Sequence, residues 1–181
     1  MTSKLVFVVR FLAVFAVLAI AGWLTDAPAR YASALRVAAS ITSPLANGWT
    51  LEQRPSPGTQ EIWFRRGNDQ LRLGLSLEAL ALGLLPLLSL LGATPRLEPA
   101  RRAACAAIGV ASLFLLDLLV LLLYPFLVPS PNAPTGLWNT VSNATTDIIG
   151  TFLGLLTFVG GPVIVWFVLT FRQLRGVWRL G

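Results

Sequence analysis

The chain has 181 residues, of which 55% are hydrophobic and only 12% are charged. A water-soluble domain carries about 25% charged residues, so this composition indicates a protein whose solvent is a lipid bilayer. Histidine is absent and there is one cysteine, which excludes an intrachain disulfide, a CxxC redox pair and histidine acid–base chemistry. We therefore expect no cofactor and no metal. The net charge of +6 comes without a lysine-rich run or aromatic platform, so nucleic acid is not an expected partner.

Four apolar runs are long enough for membrane-spanning helices, which need about 20 residues each. They are Leu5 to Leu24, Leu73 to Ala93, Ala103 to Phe126 and Ile148 to Phe171. The predicted organisation is span 1 in residues 1–24, an external segment 25–72, span 2 in 73–93, span 3 in 103–126, an external link 127–147, span 4 in 148–171 and a tail 172–181. The predicted fold class is an all-α integral membrane protein with four transmembrane helices, a small external amphipathic helix and a β-meander.

The first run also fits a cleaved signal peptide. Lys4 and Arg10 would form its basic region, and Ala27-Pro28-Ala29 would supply the small residues of a cleavage site. We favour a retained helix, because the charge of Arg10 can extend to one interface while Trp23 anchors the other.

Positive charges set the predicted orientation. Arg96, Arg101 and Arg102 lie between spans 2 and 3, and three more arginines follow span 4, whereas the link between spans 3 and 4 has no Lys or Arg. The positive-inside rule then places both termini in the cytoplasm of a bacterial cell, with the chain in the inner membrane. The external segment 25–72 carries six arginines against this rule, which long translocated segments obey weakly.

Apolar side chains recur at helical spacing after span 1. The predicted apolar face consists of Tyr31, Leu35, Ala38, Ile41 and Leu45. This pattern predicts an amphipathic helix that lies on the outer leaflet and ends near Asn47-Gly48.

A β-meander is predicted to follow. Its strands are Trp49 to Arg54, Gln60 to Arg66 and Gln70 to Leu73, joined by turns at Pro55-Ser56-Pro57-Gly58 and Gly67-Asn68-Asp69. An isolated hairpin is marginal in water, so the meander should rest on the membrane or on a partner. Trp49, Ile62 and Phe64 would make its apolar contacts, or Trp63 in the opposite register.

Asp117 lies near the middle of span 3, where a carboxylate is costly and is usually functional or paired. One hypothesis makes it a proton-carrying or substrate-contacting group. We favour a protonated side chain hydrogen-bonded to a hydroxyl such as Ser89 or Thr157, because a lone carboxylate lacks the second titratable group of most acid–base mechanisms.

Glu78, near the outer end of span 2, is the other candidate intramembrane site. We expect it to form an interfacial ion pair with Arg65, Arg66 or Arg72 from the meander rather than to act in catalysis. Cys105 lies among alanines and is expected to be a small packing residue, since no histidine is available as its base.

Span 4 is predicted to make close helix contacts through Gly150 and Gly154, a GxxxG pair. The partner is either span 2 or 3 or another subunit. Thr145, Thr146 and Asp147 are predicted to cap the helix, and Gly160-Gly161-Pro162 to kink it. Tyr124-Pro125 is expected, with Pro129, Pro131 and Pro134, to end span 3 and to stiffen the outer link.

The layout of the chain resembles the small membrane proteins associated with class H exosortases. The resemblance covers most of the chain and includes Leu71-Arg72-Leu73-Gly74-Leu75 and Gly161-Pro162-Val163-Ile164-Val165-Trp166-Phe167, followed by arginines. It implies an accessory role in envelope protein sorting and no particular chemical reaction for this chain. Exosortases themselves use cysteine, arginine and histidine, and lipoprotein signal peptidase, also similar in layout, uses two aspartates in contexts that this chain lacks.

No catalytic motif occurs in the sequence. We therefore expect a non-enzymatic accessory or scaffold protein that contacts the lipid bilayer and a membrane protein partner. The alternatives are a small membrane enzyme or transporter that uses Asp117, and an auxiliary subunit of a bioenergetic membrane complex.

Overall fold

The computed structural model describes residues 3–42, 48–56, 59–73, 76–95, 97–127 and 143–178. The helices are α1 (Ser3–Leu24), α2 (Ala27–Thr42), α3 (Leu77–Leu80), α4 (Leu84–Ala93), α5 (Pro99–Leu127), α6 (Asn143–Leu155) and α7 (Gly161–Trp178). The strands β1 (Thr50–Ser56), β2 (Thr59–Arg66) and β3 (Asp69–Arg72) form an antiparallel sheet in that order. The chain is thus mostly helical, with the predicted small sheet between α2 and α3.

Three helical segments are long and apolar enough to cross a membrane: Leu5–Leu24, Pro99–Phe126 and Gly150–Phe171. They correspond to predicted spans 1, 3 and 4. Large apolar side chains remain exposed along them, including Leu12, Leu115 and Phe152. Lipid solvates such surfaces, whereas water does not, so the structure is that of a membrane-embedded protein.

The second predicted span is shorter than expected. Its helix begins at Leu77 rather than at Leu73, because β3 runs to Arg72 and Leu73 still donates its backbone N–H to Ile62 O at 3.0 Å. A 3₁₀ turn, Ala81–Gly83, connects α3 to α4. At about 1.5 Å per α-helical residue and about 2.0 Å per 3₁₀ residue, the whole segment rises about 27 Å.

Proline lies near the end of α5 and at the start of α7. α5 ends at Leu127, two residues beyond Pro125, and its membrane-spanning part ends at Phe126, as predicted. The predicted kink near Pro162 takes the form of a π-helical turn, Leu156–Gly160. This wider turn accommodates the proline ring, which would otherwise crowd the carbonyl four residues earlier.

α2 packs on the bundle through part of the predicted face. Tyr31 and Leu35 of that face contact the core, as expected. Ala32, Leu35 and Ala39 are buried, whereas Ile41 is 72% exposed. The small alanines let α2 approach its neighbours closely, so α2 packs against α3 and α5 as well as facing outward. α2 ends at Thr42, and the predicted continuation towards Asn47 lies outside the described residues.

The sheet has the predicted strands and the first of the two predicted registers. Leu51 pairs with Phe64, which pairs with Leu71, and Ile62 pairs with Gln53 on the same face. Ile62, Phe64 and Leu71 are buried, as is Trp49 just before β1. β1 extends through Pro55 and Ser56, which were predicted to belong to the first turn.

Two hydrophobic cores organise the described part of the protein. The first joins α2, the inner sheet face, α3 and the last turns of α5, where the rings of Phe64 and Tyr124 stack with centroids 5.5 Å apart. The second contains Leu87, Leu91, Cys105 and Leu113 between α4 and α5, which agrees with the packing role predicted for Cys105. The sheet is therefore supported by the ends of the helices.

Candidate functional site

The buried carboxyl group of Asp117 is hydrogen-bonded to a tyrosine on another helix. Asp117 lies on α5 and is 2% exposed, and Tyr31 Oη of α2 donates a 2.6 Å hydrogen bond to its Oδ2. The predicted partners Ser89 and Thr157 are wrong, because each donates its hydroxyl to carbonyl oxygens of its own helix, at distances of 2.6 Å and 2.9 Å. The expected type of contact is present, but with a different residue.

The surroundings of Tyr31 fix the direction of this hydrogen bond. Its ring meets Phe114 edge to face, with centroids 5.6 Å apart. Burial, followed by the effect of the neighbouring Asp117 carboxyl, raises the pKa of the Tyr31 phenol above its usual range. The phenol keeps its proton at neutral pH and is the donor, with Asp117 the acceptor. A tyrosine on the buried face of an amphipathic helix needs a hydrogen-bond partner for its hydroxyl group. This requirement is the sequence signal that could have identified Tyr31.

The pair lies below the sheet. Asp117 precedes Tyr124, the residue that stacks on Phe64, by seven residues, or about 10 Å along α5. The hydrogen bond therefore joins α2 to α5 just beneath the place where the sheet rests on the bundle.

Two cavities in the described part of the chain lie away from Asp117. One, of about 510 Å³, is bounded by α1, the start of α2 and the Ala81–Leu88 segment. The other, of about 380 Å³, lies between α1, α4 and α5. Asp117 lines neither cavity, so neither gives a substrate access to the carboxyl group.

Glu78 occupies the first turn of α3 and is exposed. Arg65 pairs instead with Glu52, at 3.7 Å, and Arg66 lies over the ring of Trp49, 4.8 Å from its centroid. Among the described side chains, the predicted ion pair of Glu78 with Arg65 is not formed. Arg65 points from the outward face of the sheet, whereas α3 packs against the inner face. The side chain of Arg72 lies outside the described part.

The outward face of the sheet carries an ordered polar cluster. Arg54 lies over the ring of Trp63, 4.8 Å from its centroid, and donates hydrogen bonds to Glu52 at 3.1 Å and Gln70 at 3.0 Å. These contacts connect β1 with β3 across β2. We call Glu52, Arg54, Trp63 and Gln70 the outer sheet cluster.

The GxxxG pair of span 4 faces inward. Gly150 and Gly154 are both buried within this single chain. A Cβ atom on Gly150 would lie 3.2 Å from the carbonyl oxygen of Leu73, so Gly150 lets α6 approach the backbone that follows β3. This contact supports the intramolecular alternative for the pair. The side chains of the predicted cap, Thr145, Thr146 and Asp147, lie outside the described part.

Sequence reasoning missed two close helix contacts. A Cβ on Gly83 would lie 2.7 Å from the carbonyl oxygen of Thr157, and one on Gly161 would lie 2.7 Å from Leu116 Cδ2. Neither glycine belongs to a GxxxG pair, so spacing gave no indication of either contact.

No protein-family model matches the chain, and no curated protein or solved structure matches it. The class that the structure itself defines is a membrane-embedded helical protein in which one short helix and a three-stranded sheet cover the end of the bundle.

Proposed function

We propose that the protein is a non-enzymatic accessory or scaffold protein of a bacterial inner-membrane complex. The state of Asp117 carries this proposal: its carboxyl group is 2% exposed, hydrogen-bonded to Tyr31, and lines neither of the two cavities described above among the described residues. A carboxyl group in that position stabilises the packing of two helices and is poorly placed to meet a substrate. A role in exosortase-linked envelope protein sorting is the specific form of this proposal that the layout favours.

The proposed topology has four spans, with both termini cytoplasmic and the sheet on the outer face. The segment Leu77–Ala93 would be the fourth span, since its rise of about 27 Å is close to the hydrocarbon thickness of about 30 Å. A modest local thinning of the bilayer accommodates the difference.

The outer sheet cluster is the best surface for a partner. Trp63 and Arg54 belong to the residue types that dominate the energetics of protein interfaces. Arg54 is held in place by three neighbours, so little side-chain entropy is lost when a partner binds. Gly150 and Gly154, by contrast, are used inside the chain.

The test is affinity purification of the tagged full-length protein in a mild detergent, with identification of the integral membrane proteins that accompany it. We expect a reproducible partner whose recovery falls about tenfold in Trp63→Ala, a typical effect for an aromatic hot spot. Ile41→Ala is the matched control, because it removes an exposed apolar side chain from α2 without touching the cluster. Purification without any membrane protein partner would reject the accessory role.

The enzyme or transporter hypothesis rests on Asp117 and Tyr31, two titratable groups 2.6 Å apart. It is separated from the accessory role by Asp117→Asn in a deletion strain. If the variant accumulates normally and recovers the partner but fails to restore the phenotype of the strain, Asp117 has a chemical role. Restoration supports the accessory role.

A further inference from the structure

The cavity between α1, α4 and α5 is apolar except for one cation at its edge. Its lining includes Val14, Leu18, Leu88, Arg102, Ala103 and Ala106. Its volume of about 380 Å³ falls within the range of about 300–1,000 Å³ typical of ligand pockets. We call this cavity the α1–α5 groove.

Arg102 is poorly satisfied by the protein. Among the described residues, its guanidinium has one acceptor, the carbonyl oxygen of Thr94, at the long distance of 3.4 Å. Its Nε atom is buried and has no acceptor in that part of the chain. A guanidinium has five N–H donors, and leaving them unpaired in a partly buried place is unfavourable. An anion with several oxygen acceptors would correct this deficit.

A second cation lies at the same end of the groove. Arg10 precedes Val14 and Leu18 at intervals of four residues, which places it on the same face of α1. The depth is fixed by Trp166, whose ring contacts Phe7 at 6.4 Å and whose Nε1 donates to Thr94 Oγ1 at 2.9 Å. α1 near Arg10 and α5 near Arg102 are therefore at similar depths.

We propose that the α1–α5 groove binds one anionic glycerophospholipid. Its phosphate lies on the guanidinium of Arg102, which matches phosphate oxygens in a bidentate manner, and Arg10 favours a headgroup with net negative charge. One acyl chain lies along Leu18 and Leu88, whose side chains also line the larger cavity towards Trp23 and so provide a continuous apolar path. The bilayer around these helices supplies the ligand. This proposal does not depend on the accessory role.

The first test uses the wild-type protein, so folding of a variant is not an issue. Delipidated full-length protein in detergent is titrated with phosphatidylglycerol, phosphatidylcholine, diacylglycerol or inorganic phosphate, and adducts are counted by native mass spectrometry. We expect one tight phosphatidylglycerol adduct, about fivefold tighter than that of phosphatidylcholine because of the additional arginine. Diacylglycerol and inorganic phosphate should bind more weakly still, since each lacks one half of the ligand. Equal retention of all three lipids, or binding of phosphate alone, would overturn the proposal.

Two pairs of variants locate the site. Arg102→Gln should weaken phosphatidylglycerol binding about tenfold, through loss of a charge-assisted hydrogen bond. Arg101→Gln removes the same charge from the neighbouring exposed position and should leave binding unchanged. Ala103→Leu should fill the groove and weaken binding, whereas Ala104→Leu, which is exposed and does not line it, should not.

The two control variants distinguish a built site from general charge or apolarity. A loss in Arg101→Gln equal to that in Arg102→Gln would show diffuse electrostatics and reject the site. Unchanged binding in Ala103→Leu would reject the groove as the place of the acyl chain. Because Ala103 is exposed, this second arm stands even if Arg102→Gln does not fold.

Discussion

The contact between Tyr31 and Asp117 is the strongest residue-level feature of the molecule. A buried carboxyl group is tolerated when its hydrogen-bonding capacity is used, and one oxygen of Asp117 accepts the Tyr31 phenol at 2.6 Å. The contact joins residues 86 positions apart. A sequence pattern reports neighbours within a few residues, so it could show that Asp117 needs a partner but could not identify that partner.

A double-mutant cycle tests the structural role of this contact. We expect Tyr31→Phe to destabilise the folded protein by about 1–3 kcal/mol, because it leaves the buried Asp117 without its donor. Asp117→Leu alone should leave the Tyr31 hydroxyl unsatisfied at a similar cost, whereas the double variant should lose less than the sum. Thermal unfolding in one detergent, followed by circular dichroism, provides the comparison. Strict additivity would show that the hydrogen bond does not stabilise the fold.

Glycine contacts at the residue scale give a second prediction. A Cβ on Gly83 would lie 2.7 Å from a backbone oxygen of Thr157, which cannot move without shifting the π-helical turn. Gly83→Ala should therefore cost about 1–3 kcal/mol, as overpacking commonly does. Gly22→Ala is the matched control: nothing lies within 4 Å of its Cβ, so the better helix propensity of alanine should make it neutral or stabilising by up to about 1 kcal/mol. Equal melting temperatures for the two variants would contradict the close approach at Gly83.

At the scale of elements, local chemistry predicted the strands well. Alternation around Ile62 and Phe64 and the turn at Gly67, whose φ is +59°, are determined by residues close in sequence. The start of the second span was predicted wrongly, because an apolar residue such as Leu73 fits the end of a strand as well as the start of a helix. The buried face of α2 was predicted only in part: Tyr31 and Leu35 contact the core, but Ala32 and Ala39 are buried and Ile41 is exposed, because helical hydrophobicity gives alanine little weight.

The two faces of β2 give a prediction for the element. Phe64 is buried and stacked on Tyr124, so Phe64→Ala should destabilise the protein by about 3–5 kcal/mol and loosen the sheet from the bundle. Trp63 lies on the outward face and touches Arg54, so Trp63→Ala should lose about 1 kcal/mol or less. Limited proteolysis after Arg65 or Arg66 in detergent checks this: faster cleavage in Phe64→Ala than in Trp63→Ala is expected. Equal rates would show that the sheet is not held by its inner face.

At the scale of the whole molecule, the structure combines an apolar bundle with a polar, arginine-containing cover. α1, α5 and the α6–α7 segment expose broad apolar surfaces, whereas the outer sheet cluster exposes charge. α2 follows α1 after a turn of two residues, Thr25 and Asp26. That short turn keeps α2 and the sheet at the end of the bundle where α1 ends, which is opposite to the end that carries Arg101 and Arg102.

The arrangement of these ends predicts the topology. α1 and α5 begin at the same end of the bundle, since α4 runs back between them from the sheet end. Arginines at the Arg102 end should stay in the cytoplasm. Reporters fused after Arg102 and at Gly181 should therefore report a cytoplasmic position, and reporters near Gly58 and Asn132 an external one. Paired alkaline phosphatase and fluorescent protein fusions provide the measurement, each serving as the control for the other's expression. If the reporters at Gly58, Arg102 and Gly181 all proved external, the Leu77–Ala93 segment, the shortest of the four, would not cross the membrane, and cysteine accessibility along it would confirm this.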